Sequence, residues 1–279
     1  MMTFEKLITE IGFTQDEKNE IMSFSSDENT REFRDFAMFH LMKDDCESLN
    51  AKVCEDTTYG MAALVAMLCK ASLAWSEYEK REISYDIYKD TMSDIKVWAY
   101  NYRRVHGKLG LSDLAWVNGS VILFRFKLGR LQYNFTEFTE SSSHDISVGL
   151  KNGDKMLDVH IQQEGPFSDE LCGESLELAK TFYCKYFPEY DFKGFICHSW
   201  LLSPGLSQVL PETSNIIKFG KRFTIIENQA QDDCQAIERI FDTKFKDNNA
   251  PLTSLQIKAR KLLDEGGHLG NALGVILVD

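Results

Sequence analysis

Residues 157–183 read LDVHIQQEGPFSDELCGESLELAKTFY. At its start Leu157, Val159 and Ile161 alternate with Asp158 and His160, the period of two that marks a strand with one apolar face. Gly165 and Pro166 break that pattern, and the stretch from Asp169 to about Phe187 predicts a helix beginning near Ser168. Working outward, Val121–Phe126 and Leu131–Phe138 read as two strands joined at Leu128–Gly129. In the second, Leu131, Tyr133 and Phe135 share one face, and Arg130, Gln132, Asn134 and Thr136 the other. A polar linker, Glu140–Lys155, leads into the strand at 157. Downstream come a buried strand (Phe195–Leu201), short helices between Pro204 and Phe223, and a strand from Thr224 to Glu227. Helices over Asp232–Phe241 and Ser254–Glu265 and a strand over Ala272–Val278 complete the pattern.

The first hundred residues differ in kind. All five prolines (166, 188, 204, 211 and 251) lie beyond them. Phe4, Leu7, Ile8 and Ile11 follow the spacing of one helical face, and Thr14 with Glu17 fits a capping box. Phe33, Phe36, Ala37, His40 and Leu41 form a second stripe, and Thr57–Arg81 predicts a long helix with a buried start. A further helix carrying Tyr88, Thr91, Ile95, Trp98, Ala99 and Tyr102 on one face ends at Gly107. The expected fold class is α+β: an all-helical domain over residues 1–110, then a mixed, mostly antiparallel sheet domain over 111–279.

Composition narrows the function classes. The chain has 279 residues, 43% hydrophobic and 27% charged, an ordinary globular balance. Its net charge of −12 is spread evenly, with 14 basic and 20 acidic side chains in residues 1–110 and 17 and 23 in the rest. With no basic stripe, neither nucleic acid nor an anionic membrane is an expected partner. Seven cysteines without a CxxC pair, and six scattered histidines, suggest neither a disulfide framework nor a metal site. The N-terminus MMTFEKLITEIGF lacks the form of a signal peptide, and the longest apolar run, Met61–Cys69, is far shorter than the ~20 residues of a membrane span. A cytoplasmic location is the expectation; the sequence leaves the oligomeric state open.

Four separated motifs resemble one bacterial family: FKLGRLQYNF (126–135), the segment 157–183, CHSWLLSPGLSQVLPETSNIIKF (197–219) and TSLQIKARKLLDEGGHLGNALGVILVD (253–279). That family joins an N-acyltransferase N-terminal domain to a GNAT-like C-terminal domain. The resemblance implies an acyl-coenzyme A co-substrate such as acetyl-CoA and a small-molecule amine acceptor. It implies a donor lying between the strand at 157–161 and its splayed neighbour at 195–201, its pyrophosphate on the N-terminus of the helix near Ser168. Ile161, Gln163, Gly165 and Ser168 are the donor-binding residues so implied. The usual GNAT loop, Gln or Arg followed by x-x-Gly-x-Gly/Ala, is replaced here by QQEGPFSDE, with Asp169 and Glu170 in the first helical turn. Those acids complement the helix dipole and repel a diphosphate. Two readings follow: an acyltransferase, or a GNAT-like small-molecule-binding module whose donor site is closed by Ser168 or Asp169.

Candidate chemistry rests on few residues. His160 has a side chain suited to general-base work near neutral pH, and is otherwise a strand histidine bonded to a neighbour. Glu164 is a second candidate base or a solvated loop acid. His198, in an apolar strand, requires a partner, either structural or in the same cleft as His160. Cys197 beside His198 makes no nucleophile–base pair, because adjacent strand residues point to opposite faces. Arg130, Gln132 and Asn134 form a polar face able to hold a carboxylate or amide, or simply a solvated one. Asn215, after the cap residue Ser214, is a substrate-binding candidate if that helix start faces the cleft.

Overall fold

A computed structural model describes residues 2–144, 146–241 and 252–278; Asp145, inside the predicted polar linker, lies outside the described residues. The chain forms two compact units, residues 1–128 and 129–279.

The first unit contains α1 (Phe4–Glu10), α2 (Gln15–Ser26), α3 (Arg31–Met42), α4 (Cys46–Glu55), α5 (Thr58–Lys80), α6 (Tyr85–Met92), α7 (Asp94–His106), α8 (Leu114–Val121) and the strand β1 (Arg125–Leu128). Caps fall where the sequence places them. Thr14 and Glu17 exchange hydrogen bonds in a capping box, and Gly107 closes α7 in the left-handed region at φ 74°. The core is built around α5, which packs against each of the seven other helices of the unit. Its residues Gly60–Leu68 are all buried, so an apolar 23-residue helix long enough to span a membrane is here the centre of a bundle. Tyr102 of α7 lies so close over Gly60 and Gly110 that a Cβ at either would collide with its ring.

The sequence pattern puts a boundary at residue 110, but the helical unit runs on to Leu128. The reason is α8, whose Leu114, Val117 and Val121 are buried and which packs on α4 and α5. Val121 therefore ends a helix rather than beginning a strand, and the strand predicted there starts at Arg125.

The second unit contains β2 (Leu131–Glu137), β3 (Lys155–Ile161), α9 (Asp169–Tyr186), β4 (Gly194–Ser199), α10 (Asn215–Gly220), β5 (Thr224–Gln229), α11 (Cys234–Phe241), α12 (Ser254–Asp264) and β6 (Asn271–Leu277). Single 3-10 turns lie at Trp200–Leu202 and Pro204–Gln208, so β4 ends before the predicted Leu201. Within this unit the strands follow the order β2-β3-β4-β6-β5. β2/β3, β4/β6 and β5/β6 are antiparallel, and β3/β4 alone is parallel. This is the mixed, mostly antiparallel sheet expected.

Pairing decides which residues share a face. Tyr133↔Val159 and Phe135↔Leu157 lie under α9, where Tyr133 meets Ser175 Oγ at 2.9 Å and Tyr183 donates to the Tyr133 carbonyl over 2.9 Å. The opposite face carries Asn134↔Asp158, Gln132↔His160 and Ile196↔Val275. Part of that second face is covered by Phe138 and Leu150, which pack with Met156, Ile226 and Val275.

Candidate active site

The parallel pair β3/β4 is registered at only two positions, Leu157↔Phe195 and Asp158↔Ile196. Beyond them β3 continues to Ile161 and β4 to Ser199 without pairing, so the strands part at the residues that lead into α9. The expected splay is therefore present, with Ile161 at its end.

The loop that follows, 162–168, is tied down from several sides. Arg130 donates from Nε to the Pro166 carbonyl (2.8 Å) and from Nη2 to the Gln162 carbonyl (2.9 Å), with its guanidinium 5.3 Å from the Phe167 ring. Asn215 Nδ2 donates to the Phe167 carbonyl over 2.9 Å. These two expected acceptor-binding residues thus hold the loop instead. Arg130 precedes β2, and the turn at Gly129 (φ 73°) takes it out of the strand's alternation. Gly165, at φ 93°, has nothing within 4 Å of where a Cβ would stand. Gln163 and Glu164 are exposed. Among the described residues the amide N–H groups of Gln163, Glu164 and Gly165 have no protein partner.

Ser168 caps α9, accepting from the Leu171 N–H over 3.3 Å, as the donor-lost reading expects. That long bond answers one of the four free N–H groups of a helix start. The acidic first turn is not left bare. Arg222 donates from Nε to Asp169 Oδ1 (2.8 Å) and from Nη2 to the Asp169 carbonyl (3.0 Å), and its guanidinium packs over Gly173. Glu170 is held below the ordinary glutamate range, first by backbone and Ser168 hydrogen bonding and further by the charge of Lys218. The sequence reading missed Arg222, which stands far from Asp169 along the chain and carries no motif.

On the face away from α9, His160 directs Nε2 at Asn134 Oδ1 in a short hydrogen bond and lies 3.3 Å from Asp158 Oδ2. Two oxygens at one ring nitrogen require that nitrogen to carry the proton, which leaves Nδ1 the basic atom of the neutral ring. Its side chain is 24% exposed and that of Asp158 32%. Gln132, opposite His160, is buried. His198 corrects the expectation of burial: β4 is interior to the sheet, yet this side chain is exposed and Nε2 meets Gln229 Oε1 at 3.2 Å. Asp158 and Ile196 are register partners, so His160 and His198 lie on the same face. Cys197 points the other way and is fully buried, which pushes its thiol well above the ordinary range; burial likewise pushes Cys172 up to about 11. Neither thiol is an active nucleophile.

In the helical unit, a cavity of about 330 Å³ is lined by Glu20, Phe24, Asp27, Met61 and Lys108 among others, and it includes none of the predicted site residues.

With this geometry in place, the comparisons agree on one assignment. Residues 2–121 match the N-acyltransferase N-terminal domain and residues 125–276 the GNAT-like C-terminal domain, and the chain belongs to the family these domains define. Solved structures of the same fold include an acyltransferase in complex with decanoyl-CoA and teicoplanin, 21% identical over 98% of this chain and 87% of that one, at a TM-score of 0.76. An acyltransferase variant in complex with octanoyl-CoA matches equally well, at 21% identity, the same shares of the two chains and a TM-score of 0.76. A third, with CoA and 10C-teicoplanin, is 20% identical over the same shares, also at 0.76. No curated protein matches the chain.

Proposed function

We propose that this protein transfers an acyl group from acyl-coenzyme A to the amine of a small-molecule acceptor, by direct attack while both are bound. The observation that carries the reading is the parting of β3 from β4 after Asp158/Ile196, immediately before a loop and helix start with free backbone N–H groups. Acyl-CoA in the solved structures of this fold supports the donor class.

The residues present fit such a donor. The N–H groups of Gln163, Glu164 and Gly165 and the first turn of α9 suit a diphosphate, and Arg222 offsets the Asp169 charge that opposes it. His160 Nδ1 takes the proton the amine releases as its nitrogen bonds to the thioester carbonyl carbon and the carbon–sulfur bond breaks. Coenzyme A leaves as the thiolate and is protonated in turn by the imidazolium or by solvent. Asn134 and Asp158 hold the ring in the tautomer this requires. Glu164 is the alternative base. It makes no ion pair or hydrogen bond among the described residues. The alternative of a binding module is not favoured, because the solved structures of this fold hold acyl-CoA or CoA.

Isothermal titration with acetyl-, octanoyl- and decanoyl-CoA tests the proposal. A 1:1 site for at least one donor, lost in Gly165→Trp, is expected; no binding of any donor at millimolar concentration would overturn it.

A further inference from the structure

Gln132, Asn134, Asp158 and His160 form a two-by-two patch on one sheet face, fixed by the pairs Gln132↔His160 and Asn134↔Asp158. Three of the four are engaged: His160 bonds Asn134 and approaches Asp158, and Asn134 Nδ2 donates to the Phe135 carbonyl over 3.1 Å. Gln132 is the exception. It is 1% exposed, and its Nε2 has no hydrogen-bond partner. A buried amide donor without an acceptor is expensive and rare in native proteins. Its place beside the candidate base makes the missing acceptor atom a ligand's rather than the protein's.

The charges around it restrict that ligand further. Asp158 Oδ2 faces His160, and Oδ1 has no partner among the described residues. A carboxylate or phosphate set there would meet the Asp158 carboxylate, whereas an ammonium is attracted.

We propose that the acyl acceptor is an amino alcohol: an amine that arrives as its ammonium beside Asp158 and His160, loses one proton to solvent to become the nucleophile and the second to His160 as it attacks, with a neutral oxygen a few bonds away that accepts from Gln132 Nε2. This rests on the acyltransferase reading.

The test compares three acceptors of nearly equal size with octanoyl-CoA as donor: ethanolamine, propylamine and glycine. Product is measured as the N-acyl compound. Ethanolamine is expected to exceed propylamine by about tenfold in kcat/KM, the worth of one hydrogen bond, and glycine to be the poorest. In Gln132→Leu the ethanolamine-to-propylamine ratio should fall to about one, and the melting temperature should hold or rise because an unanswered polar group has been removed. Equal use of the three, a preference for propylamine or glycine, no acylation of any while octanoyl-CoA binds, or a melting temperature lowered by several degrees in Gln132→Leu would each overturn the proposal. Failure of octanoyl-CoA and every other donor to bind would instead overturn the reading beneath it.

Discussion

Arg222 grips Asp169 at two points, the carboxylate through Nε at 2.8 Å and the main-chain carbonyl through Nη2 at 3.0 Å. The pair answers one of the two acids of this helix start, while the Glu170 carboxylate lies on its own N–H and Ser168 takes that of Leu171. Arg222 is a guanidinium fixed to the N-terminal turn of α9 rather than a freely sampling surface cation.

Removing that guanidinium should weaken donor binding. Arg222→Leu uncovers the Asp169 charge beside the helix start, and a loss of about tenfold in acyl-CoA affinity is expected by calorimetry. Arg222→Leu combined with Asp169→Asn should recover most of it. Equal affinity of the single variant and the parent would refute this account of the first turn.

His160→Gln should leave the acyl-CoA dissociation constant unchanged while lowering kcat by about 10²–10⁴, the usual contribution of a general base. Asp158→Asn should have a smaller effect of the same kind, because it touches His160 only through Nε2. If His160→Gln retained full turnover with Glu164→Gln inactive, the base would be Glu164.

Much of the fold was legible from periodicity and caps: α1, the capping box of α2, α3, the long α5, the strand-to-helix segment at 157–183 and the Gly107 stop lie where spacing puts them. The stretch Tyr88–Tyr102, read as one helix, is instead two that part at Ser93, and α8 was not foreseen. The site was less so, for physical reasons. Arg130 continues the alternation of β2 on paper, but Gly129 at φ 73° turns the chain and sends the guanidinium to the 162–168 loop. His198 sits in an apolar strand, and only the sheet shows that its face is uncovered. The pairing of Gln132 with His160 depends on cross-strand register, and that of Arg222 with Asp169 on tertiary packing. Local sequence encodes neither.

Asp44 predicts a pH effect on stability. A hydrogen bond from Lys70 at 2.6 Å, then one from Asn118 at 3.0 Å, hold its carboxyl below the ordinary aspartate value. A depressed value in the folded state means the contribution is complete above the unfolded value, about 4, and is lost as pH falls through the folded one. Thermal melts from about pH 6 to pH 3 should show the parent losing more stability than Asp44→Asn, by about 2 °C given the exposure of this pair. Parallel curves would count against it.

Gly60→Ala ordinarily favours a helix, yet here it should destabilise. The added methyl meets the Tyr102 ring, and overpacking of that kind costs about 1–3 kcal/mol, or a melting temperature lower by about 5 °C. Trimming the ring in Gly60→Ala with Tyr102→Leu should remove the clash, though not the loss of the tyrosine's own contacts.

The strand order β4-β6-β5 has a consequence for how the molecule is made. β6 is the last of these strands to leave the ribosome, and it is the one that joins the other two. Until it arrives, β4 and β5 each present an edge of unpaired backbone N–H and C=O groups where β6 will bond. The growing chain therefore passes through a stage in which a nearly complete second unit lacks its keystone. Paused synthesis, or a lesion in residues 271–277, would leave two sticky borders available to a neighbouring nascent chain, so chaperone dependence should concentrate at this final step rather than in the helical unit.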